Sequence, residues 1–481
     1  MVYETVIGLE VHAQLSTQSK MFCRCSTDYV NSPPNSHVCP VCLGMPGVLP
    51  VINRRAVEYA IAAALALNCT IASFTKFDRK NYPYPDLMKG YQISQYDAPL
   101  SHDGWLEIEV NGRRKRIGII RVHLEEDVAK LLHRNDPSGE TYSLVDVNRA
   151  GVPLLEIVSR PDMNSPEEAR EFLIKLHRLL RWLRVSNANM EEGSFRCDAN
   201  ISVRSAETGE SSAKVELKNM NSFKAVYQAL KYEAGRQEEL LRSGIPTQQE
   251  TRGWDEAKGV TVLQRSKEYA HDYRYFPEPD LPPLKISPEL VEEIRAKLPE
   301  LPDARQERFM AEYGLPSYDA NLLTGSRELA DFFEECVKLS SRDRAKAISN
   351  WMLGDLLHLL NASNRDISDS PVSPKNLVGL LNLVEQGVLS TTLAKQVLEG
   401  MFHMGKTAAE IVAEQGLRQI DAASELEPIV EKVLQENSKA VADFKKGKEQ
   451  ALKFLIGQVM RATKGRAKPE LVANLLKEKL K

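Results

Sequence analysis

Apolar and polar side chains alternate near the N-terminus in a pattern that predicts a strand with one charged face. Between residues 6 and 15 the polar positions are Glu10, His12 and Gln14, and each is followed by an apolar residue. Successive side chains of a strand point to opposite faces, so these three share one surface. The pattern recurs at 121–127, with His123 and Glu125 on one face, and at 198–204. A sheet built from such strands would carry the charged floor that a metal–phosphate site requires.

Helical periodicity predicts longer elements between these strands. Ser165 is suited to cap a helix, with Pro166 at the first helical position and Glu168 completing a capping box. A second helix is predicted over 222–243. The short runs 200–203 and 215–218 are predicted to pair as an antiparallel hairpin around a polar turn. Helices between antiparallel pairs indicate an α+β layer fold.

A proline-rich segment marks the predicted domain boundary. Residues 276–284 contain four prolines, which fit neither a helix interior nor a central strand. The pattern that follows is helical to about residue 405, and lysines accumulate after it. We therefore predict an α+β domain over 1–290, an all-α domain over 291–405 and a small all-α tail over 406–481.

Composition places the chain among ordinary water-soluble proteins. Hydrophobic residues make up 42% and charged residues 27% of its 481 residues, and no apolar run approaches the roughly 20 residues that span a bilayer. A cytoplasmic protein is expected. The net charge is −3, yet residues 441–481 hold eleven Lys or Arg against four Asp or Glu. This local balance of +7 indicates a module that faces nucleic acid, the alternative being a solvated helical face.

Four of the seven cysteines form two close pairs. Cys23 and Cys25 precede Cys39 and Cys42 by a thirteen-residue spacer. Four thiolates can surround zinc tetrahedrally, so the pattern predicts a structural zinc knuckle at 23–42. The alternative is a set of reduced thiols that bind nothing. His37 lies within the spacer and could also bind a metal ion, but the pattern favours a residue that is not a ligand.

Further polar segments extend the predicted site. Glu156 stands in an apolar strand, where a buried carboxylate needs a compensating cation or donor. The segments 190–198 and 215–222 add acids, a lysine and amides, and such oxygen ligands suit Mg²⁺. Residues 77–96 mix tyrosines with Lys and Arg in a stretch too irregular for a helix, and these could stack bases and hold phosphates, or the loop could only pack.

Long motifs make the chain resemble the GatB/GatE family, the B subunits of the GatCAB aminoacyl-tRNA amidotransferases. The archaeal GatE proteins carry an insertion for which this chain is too short. The segments that carry the resemblance are 7–15, 39–47, 80–91, 148–156, 195–202, 216–221, 274–283 and 454–465.

The resemblance implies a carbon–nitrogen ligase that works in translation. Its expected substrates are ATP, with Mg²⁺, and a misacylated Glu-tRNA(Gln) or Asp-tRNA(Asn). The side-chain carboxylate would be phosphorylated, and ammonia would then displace the phosphate. The expected partners are the amidase (A) subunit, which supplies the ammonia, and the small (C) subunit of a heterotrimer. The front domain would be a cradle-shaped catalytic unit, and the helical domain and YqeY-like tail would grip the tRNA.

The resemblance also implies roles for individual residues. Mg²⁺ ligands would be Glu10, His12, Glu125 and Glu156, and zinc ligands the four cysteines of the knuckle. Arg196 and Asp198 would act in catalysis. The nucleotide and acyl-phosphate pocket would be formed by Lys80, Tyr82, Lys89, Glu192, Ser194, Lys218 and Asn219. A bulge in the strand would turn Glu126 instead of Glu125 toward the site, so which of the two is the metal ligand stays open. Which misacylated tRNA is the substrate also stays open.

Two other classes compete with this interpretation. A nonenzymatic tRNA-binding scaffold predicts that Glu10→Ala and Glu125→Ala leave ATP turnover unchanged. A metal-dependent phosphohydrolase predicts activity without tRNA or an amidase partner.

Overall fold

A computed structural model describes residues 3–266, 273–417, 420, 422–445, 448–463 and 466–480. Lys464 and Gly465, which end the motif at 454–465, lie outside these residues, as do Lys446 and Lys481 of the basic tail. The chain forms two compact units, Met1–Leu301 and Pro302–Lys481. In the part of the chain that is described, no helix is both long and apolar enough to cross a membrane.

The first unit contains all the strands of the described residues. They are β1 (Tyr3–Gln14), β2 (Thr70–Ile71), β3 (Phe74–Thr75), β4 (Asp78–Asn81), β5 (Tyr91–Ser94), β6 (Ser101–Val110), β7 (Arg113–Glu126), β8 (Lys130–Asn135), β9 (Thr141–Asp146), β10 (Pro153–Ser159), β11 (Phe195–Ser205), β12 (Val215–Lys218), β13 (Glu250–Asp255), β14 (Val260–Ser266), β15 (Phe276–Pro277) and β16 (Leu284–Lys285).

A nine-stranded sheet forms the centre of this unit. Its strand order is β14-β13-β12-β11-β1-β10-β7-β6-β2. Every pair is antiparallel except β12 with β13. The predicted hairpin is confirmed as β11 and β12, and the predicted charged strands are β1, β7 and β11. The α+β expectation is confirmed by this layout.

Helices cover one face of the sheet. The unit contains α1 (Arg54–Ala66), α2 (Pro166–Trp182), α3 (Phe223–Arg242) and α4 (Pro288–Lys297). Leu9, Val11 and Ala13 of β1 are buried in one core with Phe172 and Leu176 of α2. The apolar half of the alternation therefore faces the helices, and the polar half is left for the opposite side of the sheet.

The cap of α2 differs from the prediction in one bond. Ser165 accepts a hydrogen bond from the Glu168 N–H, as expected of an N-cap. The Glu168 carboxylate accepts from the N–H of Asn164 at 2.8 Å, and it also meets Lys115 at 2.8 Å. The reciprocal half of the predicted capping box is therefore shifted by one residue. The helix predicted over 222–243 is confirmed, with Ser222 as its N-cap.

Short strands order the segments 77–96 and 276–284. Within 77–96, β4 pairs with β5 in a small sheet completed by β15, and β16 pairs with β3. The proline-rich segment therefore belongs to the first unit, and the compact units separate between Leu301 and Pro302. The division into three domains stays a prediction.

The described residues of the second unit are helical. Its helices are α5 (Pro302–Tyr313), α6 (Ser317–Leu323), α7 (Arg327–Lys338), α8 (Ala345–Asn350), α9 (Leu357–Ala362), α10 (Pro374–Glu385), α11 (Thr391–Met404), α12 (Ala408–Gln415), α13 (Ala423–Glu436), α14 (Ser438–Lys445), α15 (Glu449–Ala462) and α16 (Pro469–Leu480). A π-helical turn (Trp351–Leu356) joins α8 to α9, and 3₁₀ turns lie at Arg342–Arg344 and Ile367–Asp369. Helices α13, α15 and α16 share a hydrophobic cluster of their own.

Candidate functional site

A cavity of about 820 Å³ lies over the polar face of the central sheet. Strands of the central sheet contribute its floor, and β4, β5 and the segment 273–275 contribute further lining. It brings together most of the residues predicted to form the site. Those that line it are Glu10, His12, Lys80, Tyr82, Glu125, Glu156, Arg196, Asp198 and Lys218.

Cross-strand pairing sets these side chains in a row. His12 of β1 lies opposite Arg196 of β11 on one side and Glu156 of β10 on the other. Glu156 in turn lies opposite His123 of β7. Directly paired residues of antiparallel strands place their side chains within contact distance, so the row is a consequence of register. One polar residue from each of four strands thus meets over the sheet.

His12, Glu125 and Glu156 form the tightest cluster in the cavity. His12 Nε2 lies 3.4 Å from a Glu156 oxygen and 3.6 Å from a Glu125 oxygen, and one ligand atom of each residue lies within 4.8 Å of the others. Two carboxylates and an imidazole fit a hard divalent cation such as Mg²⁺ or Mn²⁺. Glu10 is not in this group, and its carboxylate accepts a hydrogen bond from Asn200 at 2.9 Å.

His12 and Glu156 stabilise each other's charged forms. Burial by itself lowers the pKa of His12, but the hydrogen bond to Glu156 and the charges of Glu156 and Glu125 raise it to about 8. Burial likewise opposes ionisation of Glu156, and the charge of His123 and the His12 bond hold its pKa well below the usual value. Among the described residues, the imidazoles of His12 and His123 are the only basic groups within ion-pair distance of the Glu125 and Glu156 carboxylates.

Three consecutive acids at the end of β7 point to different partners. Glu125 joins the cluster and accepts a hydrogen bond from the Ser94 hydroxyl at 3.2 Å. Glu126 pairs with Lys89. Asp127 accepts from Arg196 at 3.0 Å and from Gln14 at 2.7 Å. The strand is regular here, because its register shift lies at the other end of the pairing with β10. The geometry therefore places Glu125 in the cluster.

Lys80 enters the cavity within a group of tyrosines. Its ammonium lies 5.1 Å from the ring centre of Tyr273 and 5.9 Å from that of Tyr82. Burial lowers the pKa of Lys80, but the negative charges of Glu125 and Glu156 outweigh it and raise the pKa. Within the described part of the chain, no carboxylate lies within ion-pair distance of this ammonium. Lys80 is thus a cation held close to the cluster by aromatic faces.

The other predicted cations are already paired. Arg196 binds Asp127, and Lys218 contacts Asp198 and lies 3.2 Å from Glu216. Each of these two cations therefore already has an acid partner within the protein.

The four cysteines predicted to bind zinc converge in the first unit. One sulfur of each lies within 4.8 Å of the others. The hydrogen bond from Cys23 and that from the Cys39 N–H, with the nearby charge of Lys20, lower the pKa of Cys42 to about 4. Four sulfur donors in one shell are the set expected for zinc, and no other side chain is needed to close it.

Comparison with known proteins places the chain in a family. The model of the GatB/GatE catalytic domain matches residues 5–292, and that of a GatB domain matches residues 331–480. The chain belongs to the GatB/GatE family. Proteins from Dehalococcoides mccartyi (strain CBDB1) and Carboxydothermus hydrogenoformans are 58% and 57% identical to it, each over 99% of both chains. A protein from Caldanaerobacter subterraneus subsp. tengcongensis is 57% identical over the full length of both. All three are named as the B subunit of aspartyl/glutamyl-tRNA(Asn/Gln) amidotransferase.

Four predicted nucleotide-pocket residues of this GatB/GatE chain lie away from the cavity lining. Glu192 is exposed in a turn. Ser194 is buried, and its hydroxyl bonds to Asn187 and to the backbone of Asn189. Asn219 follows β12 with a φ of 63°. Lys89 faces a separate pocket of about 230 Å³ beside the cysteines. Asn219 directly follows the cavity residue Lys218, and Ser194 lies two residues before the cavity residue Arg196.

Thirteen residues that line the cavity had no predicted role in this GatB/GatE chain. Arg121 and His123 share the predicted face of Glu125, so alternation alone could have nominated them. The tyrosines at 273 and 275 carry no alternation signal, because residues 273–275 do not form a strand, although Tyr275 lies in the motif at 274–283. Tyr273 approaches Lys80 only in the folded chain. Among the thirteen are Arg121, His123, Asp127, Glu216, Tyr273 and Tyr275.

Proposed function

We propose that this chain is the tRNA-transamidating B subunit of an aspartyl/glutamyl-tRNA amidotransferase, and that it activates the misacylated side chain for amidation. The names of its near full-length relatives support this activity. The observation that carries the chemistry is the cluster of His12, Glu125 and Glu156 in a cavity that Lys80 also lines. A divalent ion and a polyphosphate are the ligands that such a pairing suits.

The reaction has to overcome a poor leaving group. A side-chain carboxylate would have to expel oxide, so ammonia cannot displace it directly. Transfer of the γ-phosphoryl group of ATP to a carboxylate oxygen gives an acyl phosphate, from which ammonia expels phosphate and forms the amide. The ATP substrate thus supplies the leaving group, and the protein has to bring nucleotide, carboxylate and ammonia together.

The cluster residues would hold Mg²⁺ and Lys80 would face the transferred group. His12, Glu125 and Glu156 offer one donor atom each, which would leave half of a six-ligand shell for water and phosphate oxygens. When bound, Mg²⁺ neutralises charge on the phosphate oxygens. The ammonium of Lys80 is available to a second anionic oxygen. Arg196 and Lys218 would help to form the pocket wall, where Arg196 is paired with Asp127 and Lys218 with Asp198.

The cysteine knuckle is proposed to hold zinc in a structural role. A shell of four thiolates leaves no open position for substrate, so bound zinc would tie the chain segments at 23–25 and 39–42 together.

Ammonia, tRNA and partner subunits complete the proposed assembly. We propose the amidase (A) subunit as the source of ammonia and the small (C) subunit as the third member, in the cytoplasm. The tail over 406–481 would contact the tRNA, since residues 441–481 carry a balance of +7. Glu10 would act beside the metal cluster and not as one of its ligands, because it lines the cavity next to Asp198.

Labelled phosphate transfer tests the proposal. The assembled complex is given γ-labelled ATP and Glu-tRNA(Gln) without glutamine, and wild type is compared with Glu156→Gln. Glu140→Gln, an exposed loop acid, is the matched control. Label release that needs the charged tRNA, is retained in the control and is lost in Glu156→Gln supports the proposal.

Two other results would each support a competing class. Equal release by Glu156→Gln and wild type would make the acidic face structural and the chain a scaffold. Release of the same size without any tRNA would indicate a phosphohydrolase.

A further inference from the structure

Lys89 packs directly on the cysteine knuckle. Gly44, two residues after Cys42, has a φ of +67°, and a Cβ built on it would lie 2.5 Å from Lys89 Cγ and 3.1 Å from Lys89 Cα. Only glycine permits this approach of the two backbones. The stem of Lys89 therefore rests on the turn that closes the cysteine pair.

The ammonium of Lys89 neutralises a buried acid of β7. It pairs with Glu126, which is 5% exposed. The same carboxylate accepts the Ile93 N–H at 3.0 Å, and the Glu126 carbonyl accepts from Gln92 at 2.7 Å. In the described part of the chain, Lys89 is the one cation within ion-pair distance of Glu126. The carboxylate is thus fixed by the knuckle on one side and β5 on the other.

Glu126 is adjacent in sequence to the cluster acid Glu125. Because side chains alternate along β7, Glu126 faces Lys89 while Glu125 faces the cavity. β5 holds both, since Ser94 donates to Glu125 and the Ile93 N–H to Glu126. A displacement of Glu126 would therefore move the backbone that positions Glu125.

A second contact joins the knuckle to the same strand end. The Met21 N–H donates to the Gly151 carbonyl at 2.7 Å, and the Gly151 N–H donates to the Asp127 carbonyl at 2.9 Å. The side chain of Lys20 lies near both Gly151 and Cys42. The knuckle thus braces the end of β7 through two separate routes.

We propose that Lys89 is a positioning residue through which the cysteine knuckle sets the metal affinity of the His12–Glu125–Glu156 cluster. The inference rests on the proposed metal roles of the two clusters. An unpaired carboxylate at Glu126 is costly to bury, so loss of Lys89 shifts Glu126 toward water and takes Glu125 away from its partners. Zinc in the knuckle would hold Lys89 and Glu126 in place and so strengthen metal binding at the cluster. Because coupling of two binding sites is reciprocal, metal in the cluster would strengthen zinc binding by the same factor.

Manganese binding to the zinc-loaded full-length chain tests the role of Lys89. Mn²⁺ affinity is measured by electron paramagnetic resonance for wild type and Lys89→Met, with Lys89→Arg as the charge-conserving rescue. Lys130→Met, an exposed lysine in β8, is the matched control. We expect Lys89→Met to weaken Mn²⁺ binding about tenfold, and the other two variants to bind like wild type. Equal affinity in Lys89→Met and wild type would overturn the inference.

The reciprocal effect of Mn²⁺ on zinc binding can be tested in the wild-type chain. This test can be made even if Lys89→Met does not fold. The zinc affinity of the knuckle is measured by equilibrium competition with a chelator, with and without saturating Mn²⁺. We expect Mn²⁺ to tighten zinc binding several-fold. A zinc affinity that is the same with and without Mn²⁺ would overturn the coupling but leave the proposed metal site standing. Mn²⁺ binding that survives Glu156→Gln would instead contradict the proposed metal site, so the two failures are distinguishable.

Discussion

The cavity and the second unit compensate the charge of their carboxylates in opposite ways. Glu334 of α7 accepts hydrogen bonds from Arg308 at 2.8 Å and Tyr313 at 3.0 Å, and it pairs with Arg305. Glu125 and Glu156 meet imidazoles at 3.3 to 3.6 Å and a serine instead. Arginine stays charged at any physiological pH, whereas an imidazole can lose its proton and bind a cation. A fully compensated acid stabilises the fold, and a less compensated one is available for a ligand.

The largest expected effect separates activity from stability at Glu125. Glu125→Gln removes the charge of a proposed metal donor, so ATP-dependent amidation by the complex should fall about a thousandfold, or about 4 kcal/mol of transition-state stabilisation. The free energy of unfolding of the metal-free chain should change by less than about 1 kcal/mol, because one source of repulsion is removed with the charge. Steady-state kinetics and urea unfolding measure the two. A large loss of stability would make Glu125 a structural acid like Glu334.

The converse is expected at Glu334. Glu334→Gln leaves two arginines without their shared carboxylate, so the free energy of unfolding should fall by about 3 kcal/mol. Phosphoryl transfer by the folded complex should stay near the wild-type rate. Glu335→Gln, its exposed neighbour, is the control and should be neutral. Loss of phosphoryl transfer in folded Glu334→Gln would break the comparison.

Acid dependence gives a second measure of Glu334. Burial alone raises its pKa, but the Arg308 bond and the Arg305 charge lower it to about 2, below the usual 4.5. A lowered pKa contributes stability above the unfolded-state pKa, and that stability is lost as pH falls through the folded-state value. The stability difference between wild type and Glu334→Gln should therefore shrink as pH falls from about 4.5 to 2. A difference that is constant over this range would show that the ionised carboxylate contributes nothing.

The smallest effect is expected at Lys80. Lys80→Met removes a cation that has no carboxylate within ion-pair distance among the described residues, so stability should change by less than about 1 kcal/mol. Amidation should fall about tenfold, chiefly as a higher KM for ATP. Lys285→Met, an exposed lysine of β16, is the control. An unchanged KM together with unchanged kcat would remove Lys80 from the site.

The local sequence pattern predicted the charged strands and two residues of the metal cluster, His12 and Glu125. Alternation in β1 and β7 identified the faces that carry His12 and Glu125, because it depends only on strand geometry. That Glu156 lies beside His12 follows from the register of β1 with β10, which no local pattern contains. The four-cysteine spacing was sufficient for the knuckle, since its ligands come from two short turns of one segment.

The misplaced residues show where pattern alone fails. Lys80 and Lys89 stand in one motif, yet Lys80 enters the cavity from β4 and Lys89 turns to the knuckle before β5. The side that each lysine takes depends on the pairing of β4 with β5 and on the glycine at position 44. Ser194 and Asn219 likewise lie next to cavity residues but serve turns and strand ends.

Anomalous scattering from a crystal grown with manganese tests the central claim most directly. We predict a manganese peak bounded by His12 Nε2 and the carboxylates of Glu125 and Glu156, and a zinc-edge peak among the four cysteines. A manganese site elsewhere in the chain, with the cluster empty, would contradict the claim that these acids are held for a metal ion.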